Sequence, residues 1–383
     1  MITDWIDVGE VSAERDPNLH NYFYDAGVSK ELVDNKKQYL LLGRKGAGKT
    51  AVFIHLLSKP SKIFAHDDMV VGMSLQNYKW QAHYLLGDYQ KMGGFQHKDS
   101  WRFALYVEAV RAAYKKLTED NEVVPKELLA AAKTLEKLFD HPVPNWAEVL
   151  GEKLFGLSSF KLPALEVGEE LSVCGGEVSF DELRASSSLK ARLNQNIMNL
   201  TDWLENSLKT LPESTKIFLV FYRLDEAWVD GFISESKSIV TGLLHAAEHV
   251  LHAFGGRIRP LIFLREDIFS TLDINDRNKL RLDCSESLRW TQDEIERLVL
   301  ERINFYARKA GASQVNSLQD VFQEKDMRSR TTPVKHIFNR TMCRPRDMVA
   351  FLGLTFKVAR DEGFHGAGGD KISTKAIYGA ASL

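Results

Sequence analysis

Residues Gly43 to Thr50 have the types and the spacing that bind a chain of phosphates. They fit the pattern Gly-x-x-x-x-Gly-Lys-Thr. Glycines at 43, 46 and 48 allow backbone N–H groups to approach an anion without a Cβ in the way. The Lys49 ammonium can reach the β- and γ-phosphates of a nucleotide, and the Thr50 hydroxyl can bind Mg²⁺. The residues expected to line the phosphates are Gly43, Arg44, Lys45, Gly46, Ala47, Gly48, Lys49, Thr50 and Ala51.

The segments on either side of this loop favour the same interpretation. Residues 39–42 form a short apolar run typical of a buried strand, and residues 51–57 have a helical pattern that ends before Pro60. A helix that starts near Gly48 would direct its unpaired N–H groups and its positive dipole end at the anion. The alternative is a glycine-rich turn before a helix that binds no ligand.

A second set of candidate residues follows another apolar run. Residues 217–222 are largely apolar and predict a buried strand, and Asp225 and Glu226 come just after it. Ligands of parallel α/β sheets bind at the carboxyl ends of the strands. Asp225 is therefore expected to hold Mg²⁺, directly or through water, and Glu226 to polarise the attacking water. Taken alone, the pair would more often cap the next turn.

Transfer of a phosphoryl group also requires positive charge close to the γ-phosphate oxygens. Arg265 ends the predicted strand 260–264 and is a candidate for that role. The alternative is an exposed ion pair of Arg265 with Glu266 or Asp267 at the end of the strand. The sequence leaves these two possibilities open.

Further arginines are candidates in two other places. Arg277, Lys279 and Arg281 form a basic run that is expected in a loop, either as a finger into a neighbouring subunit or as a solvated loop. Arg344 and Arg346 flank a proline in a helical region, which is one way to direct a guanidinium at a nucleotide.

One stretch of the chain is notably basic. Residues 325–346 contain a single acid, Asp326, and the following basic residues: Lys325, Arg328, Arg330, Lys335, Arg340, Arg344 and Arg346. Such a stretch can contact nucleic acid, a partner protein or the nucleotide, or it can simply be a solvated face.

The composition limits the remaining possibilities. The chain has 383 residues, 44% hydrophobic and 27% charged, with a formal net charge of −2, so binding to nucleic acid or membrane would need a local patch. Three cysteines lie far apart and without metal-ligand spacing, which favours a reducing compartment. The acidic start of the chain lacks the features of a signal peptide, and no apolar run has the length of a membrane span. We therefore expect a cytoplasmic protein without a membrane segment.

Strand and helix patterns alternate along most of the chain. Residues 69–75 predict a second buried strand, and residues 101–117 and 234–254 have helical spacing, which favours a parallel α/β sheet. Residues 121–212 break this alternation and are expected to be an insertion. They include a helical apolar stripe of Leu189, Leu193, Ile197, Leu200, Leu204 and Leu208. Residues 154–188 have no assignable pattern, whereas Thr291 and Glu294 predict a capping box that opens a helix.

Several of these segments together resemble one group of bacterial P-loop ATPases, related to the STAND and origin-recognition-type AAA+ ATPases. The segments are LLGRKGAGKTA, FYRLDEAW, PLIFLREDIF with DRNKLR, LRWTQDEIERLVLERI and CRPRDMVAF. They are spread over nearly the whole chain apart from 121–212. Two departures from the family pattern are the arginine at 223, just before the acids, and the absence of a clear second basic element after the last helices.

The resemblance implies an α/β fold, in which a P-loop NTPase parallel sheet is flanked by helices and followed by a C-terminal helical lid. The implied domains are a lead-in at 1–38, the first part of the core at 39–120, a mainly helical insertion at 121–212, the second part of the core at 213–290 and the lid at 291–383. In this interpretation Lys49 and Thr50 match Walker A, and Asp225 and Glu226 match Walker B. Arg265 falls at the sensor-1 position, and Arg346 or Arg344 near the sensor-2 position.

The function that the resemblance implies is Mg²⁺-dependent binding and hydrolysis of ATP that drives a conformational or assembly switch. Relatives of this class are often homo-oligomers or work with a partner protein, in signalling, bacterial antiphage defence or DNA transactions. Two alternatives stay open. One is a P-loop kinase, against which the Asp-Glu pair counts. The other is a nucleic-acid-binding protein with a regulatory nucleotide site, for which the basic stretch 325–346 is the motivation.

Overall fold

The computed structural model describes residues 1–76, 78–88, 93–139, 186–228, 230–328, 330–366 and 368–382. The chain divides into two units, each with its own hydrophobic core. We call Leu32–Leu42 with Ser61–Glu286 the sheet unit. We call Met1–Glu31, Gly43–Pro60 and Ser287–Leu383 together the helical unit.

A five-stranded parallel sheet forms the centre of the sheet unit, in the order β2-β3-β4-β1-β5. The register pairs Met69 with Ile217 and Ile217 with Ile258. The strands are β1 (Leu40–Gly43), β2 (Met69–Ser74), β3 (Ile217–Tyr222), β4 (Ile258–Arg265) and β5 (Ser285–Ser287). This arrangement confirms the predicted α/β fold with a parallel sheet.

Strands β1 and β3 form where the sequence is continuously apolar. The strand predicted as buried at 69–75 is β2, of which only Met73 is buried, and β5 is the short polar segment Ser285–Ser287. All four residues of β1 and the first five residues of β3 are buried. A parallel sheet that is covered on both faces requires such runs, since neither face can be polar. The prediction of strand 217–222 is confirmed to the residue, and the predicted strand 260–264 is longer at both ends.

Helices flank the sheet and make up most of the rest of the described chain. Predicted helix 101–117 extends over Lys98–Glu119, and predicted helix 234–254 spans Ile233–Ala253. The helices are α1 (Leu19–Tyr22), α2 (Val28–Asp34), α3 (Lys49–Leu57), α4 (Trp80–Tyr84), α5 (Lys98–Glu119), α6 (Lys126–Phe139), α7 (Ser187–Lys209), α8 (Ile233–Ala253), α9 (Glu266–Thr271), α10 (Arg277–Cys284), α11 (Gln292–Lys309), α12 (Pro333–Thr341), α13 (Pro345–Asp361) and α14 (Lys375–Ala381).

The segment that was expected to be an insertion is described only in part. Helices α6 and α7 pack with α5, and the apolar stripe of α7 is buried from Leu193 to Leu208. A buried ion network joins α7 to α5: Glu205 accepts hydrogen bonds from Arg102 and from the Tyr106 hydroxyl at 2.8 and 2.6 Å. Most of the unassigned stretch 154–188 lies outside the described residues. The role of 121–212 as an insertion stays a prediction.

The helical unit is built on α11, α12, α13 and α14, and the bounds of a domain at 291–383 and its action as a lid stay predictions. The capping box is present, because the Thr291 and Glu294 side chains each accept the other residue's backbone N–H. The N-terminal residues differ from the expected polar lead-in. Ile2, Ile6 and Val8 are buried in the same core as α11 and α13.

One arginine explains why the N-terminal segment belongs to this unit. The buried Arg302 of α11 donates to the Val8 carbonyl at 2.7 Å and to the Asp16 carboxylate at 3.3 Å. Its guanidinium lies over the Tyr22 ring, 4.6 Å from the centroid, and the Tyr22 hydroxyl donates to Asp16. In the part of the chain that the structure describes, no helix is long and apolar enough to cross a membrane.

Candidate functional site

The loop between β1 and α3 contains two glycines in a backbone conformation that other residues rarely adopt. Gly46 and Gly48 both adopt the left-handed region, with φ of 83° and 100°, which a residue with a Cβ rarely enters. Gly48 is the N-cap of α3, and the helix begins at Lys49. The strand, glycine loop and helix therefore follow one another as predicted, with the helix two residues longer at its start.

The Lys49 side chain lies back over the loop. Its ammonium donates to the carbonyls of Gly43 at 2.8 Å and Arg44 at 3.1 Å. The Ala47 N–H also donates to the Arg44 carbonyl, at 3.2 Å, and closes a turn. These bonds satisfy the carbonyls of the first half of the loop and place a positive charge beside it.

The carbonyls of the second half of the loop are held by residues from the last third of the chain. The Arg346 N–H donates to the Gly46 carbonyl at 3.3 Å. A Cβ at position 46 would lie 3.4 Å from the Arg346 Cβ, so the glycine also allows this close approach. The structure thus brings Arg346 to the phosphate loop, and Arg344 is the N-cap of the same helix, α13.

Trp290 also contacts the loop, and sequence reasoning missed it. Its indole N–H donates to the Ala47 carbonyl at 2.8 Å. Trp290 lies between β5 and the capping box of α11, where nothing in the spacing indicates a role. The only available signal was its type, because a partly buried indole N–H needs an acceptor.

The two acids lie in the sheet unit, in a short 3₁₀ turn, Leu224–Ala227, directly after β3. The residue before this turn, Arg223, is left-handed with φ of 68°. Its guanidinium donates to the Glu226 carboxylate at 2.9 Å, and both side chains are about one-third exposed. The Asp225 side chain is 49% exposed, so the sequence does leave the acids accessible at the end of their strand.

Arg265 is the last residue of β4 and lies close to the acids. Its Nη1 is 4.0 Å from the Asp225 carboxylate, and its Nε donates to Asp267 at 3.1 Å. The hydrogen bond to Asp267 raises the pKa of Arg265, and the same bond lowers the pKa of Asp267. The ion pair with Asp267 that the sequence offered as one alternative is therefore present, and Arg265 also faces the first acid. Its role close to a γ-phosphate stays a prediction.

The donors available for Mg²⁺ are the Thr50 hydroxyl, in the first turn of α3, and the Asp225 carboxylate. Among the described residues there is no cluster of three or more His, Cys, Asp or Glu side chains that could hold a metal by itself. Hydroxyl and carboxylate oxygens are ligands of the kind that Mg²⁺ accepts, and the ion usually completes its shell with phosphate oxygens and water. Thr50 lies in the helical unit and Asp225 in the sheet unit, and their sharing of one ion stays a prediction.

The basic run at 277–281 differs from the prediction of a loop, since it lies on helix α10. Tertiary bonds hold two of its members. Arg277 donates to the Ser270 and Leu272 carbonyls, and Arg281 pairs with Glu266. These partners come from the segment after β4 and could not be read from the local pattern.

The basic stretch 325–346 forms part of the surface of the helical unit. Arg328, Arg330, Lys335 and Arg340 are all exposed. The Arg328 guanidinium lies over the ring of Tyr378 in α14, 5.2 Å from the centroid. From 327 to 346 the sequence contains no acid, so this face is positive without internal compensation.

The last quarter of the chain matches a known sequence family. Residues 293–382 match the family described as the FunZ-associated C-terminal helical domain. The match spans α11 to α14, which are the helices that carry Arg302, Arg344 and Arg346.

A curated relative is the putative transposon gamma-delta 80.3 kDa protein of Escherichia coli (strain K12), 25% identical over 364 residues. The alignment covers 91% of this chain and 46% of the relative, so the chain spans less than half the length of that protein. Among solved structures, Drosophila ORC bound to DNA aligns at 10% identity and a TM-score of 0.37, over 99% of this chain and 64% of that chain. A TM-score of that size does not establish a common fold.

Proposed function

We propose that this protein binds and hydrolyses ATP with Mg²⁺ and uses the reaction as a conformational or assembly switch. The observation that carries the proposal is the loop with left-handed Gly46 and Gly48 between a buried parallel strand and a helix. The sheet order supports it, because β1 and β3 are separated only by β4. In a parallel sheet these strands end at the same edge, which is where ligands bind in α/β folds.

In this proposal each candidate residue has one role. Loop amides and Lys49 bind the β- and γ-phosphates, while Thr50 and Asp225 hold Mg²⁺, which neutralises charge on the phosphate oxygens. Glu226 accepts a proton from water as the water oxygen bonds to the γ-phosphorus and the bond to the β-phosphate oxygen breaks. Arg265 and Arg346 stabilise the charge that develops on the γ-phosphate, with Arg344 as a second candidate.

The first test is MgATP turnover by the wild-type chain and by Lys49→Ala and Glu226→Gln. We expect Lys49→Ala to lose nucleotide binding, because it removes the charge that meets the phosphates. Glu226→Gln should bind MgATP but turn it over at least about 100-fold more slowly, the usual contribution of a general base. Turnover without an added acceptor distinguishes hydrolysis from a kinase reaction. Hydrolysis by Glu226→Gln at the wild-type rate would exclude the assigned role of Glu226.

What the switch controls is a further part of the proposal. The resemblance of the motifs to STAND and origin-recognition-type ATPases favours a homo-oligomer or a partner protein, in antiphage defence, signalling or DNA transactions. The E. coli relative is named for a transposon, which favours a DNA transaction. Particle size with and without MgATP, measured by light scattering, would distinguish an assembling switch from a monomeric enzyme.

A second candidate function is nucleic-acid binding through the positive face of the helical unit. The observation that favours it is the exposure of Arg328, Arg330, Lys335 and Arg340 on a stretch without acids. Each neutralised phosphate steepens the salt dependence of duplex binding by about 0.9 in the log–log slope. We therefore expect Lys335→Ala with Arg340→Ala to bind duplex DNA more weakly and with a slope shallower by about 2. An unchanged slope would exclude this face as the surface that binds DNA.

A further inference from the structure

A tryptophan in the linker before α11 contacts the phosphate loop. The Trp290 indole N–H donates to the Ala47 carbonyl at 2.8 Å. The ring lies near the loop, since a Cβ built at position 48 would be 3.9 Å from the Trp290 Cζ2. Tyr24 lies near the indole, with ring centroids 6.3 Å apart, and Trp290 packs against the core of the helical unit. Trp290 is therefore packed in place and contacts the loop by its N–H.

The bond from Trp290 fixes the direction of one phosphate-binding amide. The Ala47 carbonyl and the Gly48 N–H belong to the same planar, trans peptide unit, so they point in opposite directions. A donor that holds the carbonyl on the side of Trp290 directs the Gly48 N–H to the other side. Gly48 is the residue whose φ of 100° forms the N-cap of α3, which is the place where helix N–H groups meet an anion.

The same bond connects the loop to the start of helix α11 within the helical unit. Helix α11 begins at Gln292, two residues after Trp290. The second contact from this part of the chain, from the Arg346 N–H to the Gly46 carbonyl, comes from the first turn of α13. Two consecutive loop peptides are thus oriented by the starts of two helices of the helical unit.

We propose that Trp290 is a positioning residue that orients the Gly48 amide for the phosphates and couples nucleotide binding to helix α11. This inference rests on the proposed function. Coupling between two sites is reciprocal in free energy. A phosphate chain that stabilises the loop therefore stabilises the start of α11, and whatever displaces Trp290 weakens nucleotide binding. A switch of this kind needs no contact between nucleotide and indole.

The test compares Trp290→Phe, which keeps an aromatic ring and loses the N–H, with Trp5→Phe as a matched control outside the loop. We expect Trp290→Phe to bind MgATP and MgADP about tenfold more weakly, the effect of one hydrogen bond near the upper end of its usual range. Trp5→Phe should bind both as the wild type does. The melting temperature without nucleotide checks that both variants fold.

Amide hydrogen exchange of the wild type keeps the inference testable even if Trp290→Phe fails to fold. We expect MgADP to slow exchange in the loop and also over residues 292–296, and the second effect to be lost in Trp290→Phe. If the wild type binds MgADP but protection is confined to 43–57, the coupling is refuted and the proposed function stands. If the wild type binds neither nucleotide, the proposed function fails first.

Discussion

At the scale of single residues, the loop before α3 and the acids after β3 are held by different kinds of contact. In the loop, backbone groups are fixed by Lys49, Trp290 and the Arg346 N–H. After β3, the proposed base Glu226 is held by Arg223, a non-glycine residue with a φ of 68°. Residues in sparsely populated backbone conformations collect at functional sites. Arg223 is also one of the two departures from the family pattern that the sequence motifs resemble.

We expect Arg223→Ala to raise basal ATP turnover without changing the KM for ATP. The guanidinium competes with water for the Glu226 carboxylate, and its removal frees the proposed base. A pair that is one-third exposed is worth no more than about 1 kcal/mol, so the increase should not exceed about fivefold. Steady-state kinetics with Arg192→Ala, an exposed arginine of α7, as a charge control would check it. A fall in turnover would mean that Arg223 supports Glu226 instead of restraining it.

At the scale of elements, the sequence predicted those strands, helices and caps that local residue patterns determine. Strand β3, helices α5 and α8 and the capping box at Thr291 follow from apolar periodicity and from capping residues. The helix α10, the buried N-terminal segment and the contact of Trp290 with the loop depend on partners that are distant in sequence. These tertiary bonds leave no periodic signal. The loop and the acids could be proposed from sequence because phosphate and metal chemistry needs fixed residue types at fixed spacing, and their roles stay predictions.

Arg259 in β4 is another residue whose role only the structure reveals. It is 2% exposed and lies over Phe218, with 5.5 Å from its Cζ to the ring centroid. Its guanidinium donates to the carbonyls of Leu32, Val33, Asn35 and Gln38. Burial lowers the pKa of Arg259 to about 10, so it stays charged at neutral pH. It thereby supplies hydrogen-bond donors to the carbonyls at the end of α2 and in the segment that leads into β1.

We expect Arg259→Met to destabilise the protein by about 3–5 kcal/mol, because several buried carbonyls lose their donor at once. Arg257→Met, which removes a less buried arginine two residues earlier, should cost less than about 2 kcal/mol. Urea unfolding monitored by circular dichroism would measure both. Equal effects of the two changes would show that the cluster around Arg259 is no more important than an ordinary surface contact.

At the scale of the whole molecule, stability should depend on two buried histidines of the sheet unit. Burial, with a smaller effect of His97, lowers the pKa of His83 well below its ordinary value, and burial lowers the pKa of His97 to about 4. The Ser100 hydroxyl donates to the His97 carbonyl at 2.9 Å and lies 2.8 Å from the His83 Nε2. Its oxygen can therefore accept a hydrogen bond from that nitrogen, which favours the neutral Nε2–H form of His83.

We expect the free energy of unfolding to fall as the pH drops from about 6.5 towards 4. The unfolded chain binds protons on its histidines near pH 6.5, whereas the folded chain keeps His97 neutral down to about 4. Across this window, protonation of His97 in the unfolded chain alone lowers the free energy of unfolding by about 3 kcal/mol. Urea unfolding at pH 7, 6 and 5 would measure the slope. The exposed His66 is the control, since His66→Gln should leave the slope unchanged and His97→Gln should reduce it.

The measurement that tests the central claim most directly is calorimetric titration of the wild-type chain and Lys49→Ala with ATP, with and without Mg²⁺. We predict saturable binding of one MgATP per chain to the wild type, weaker binding without Mg²⁺ and none to Lys49→Ala. If the folded wild-type chain shows no heat of binding with MgATP, a phosphate site in the loop at Gly43–Thr50 is contradicted.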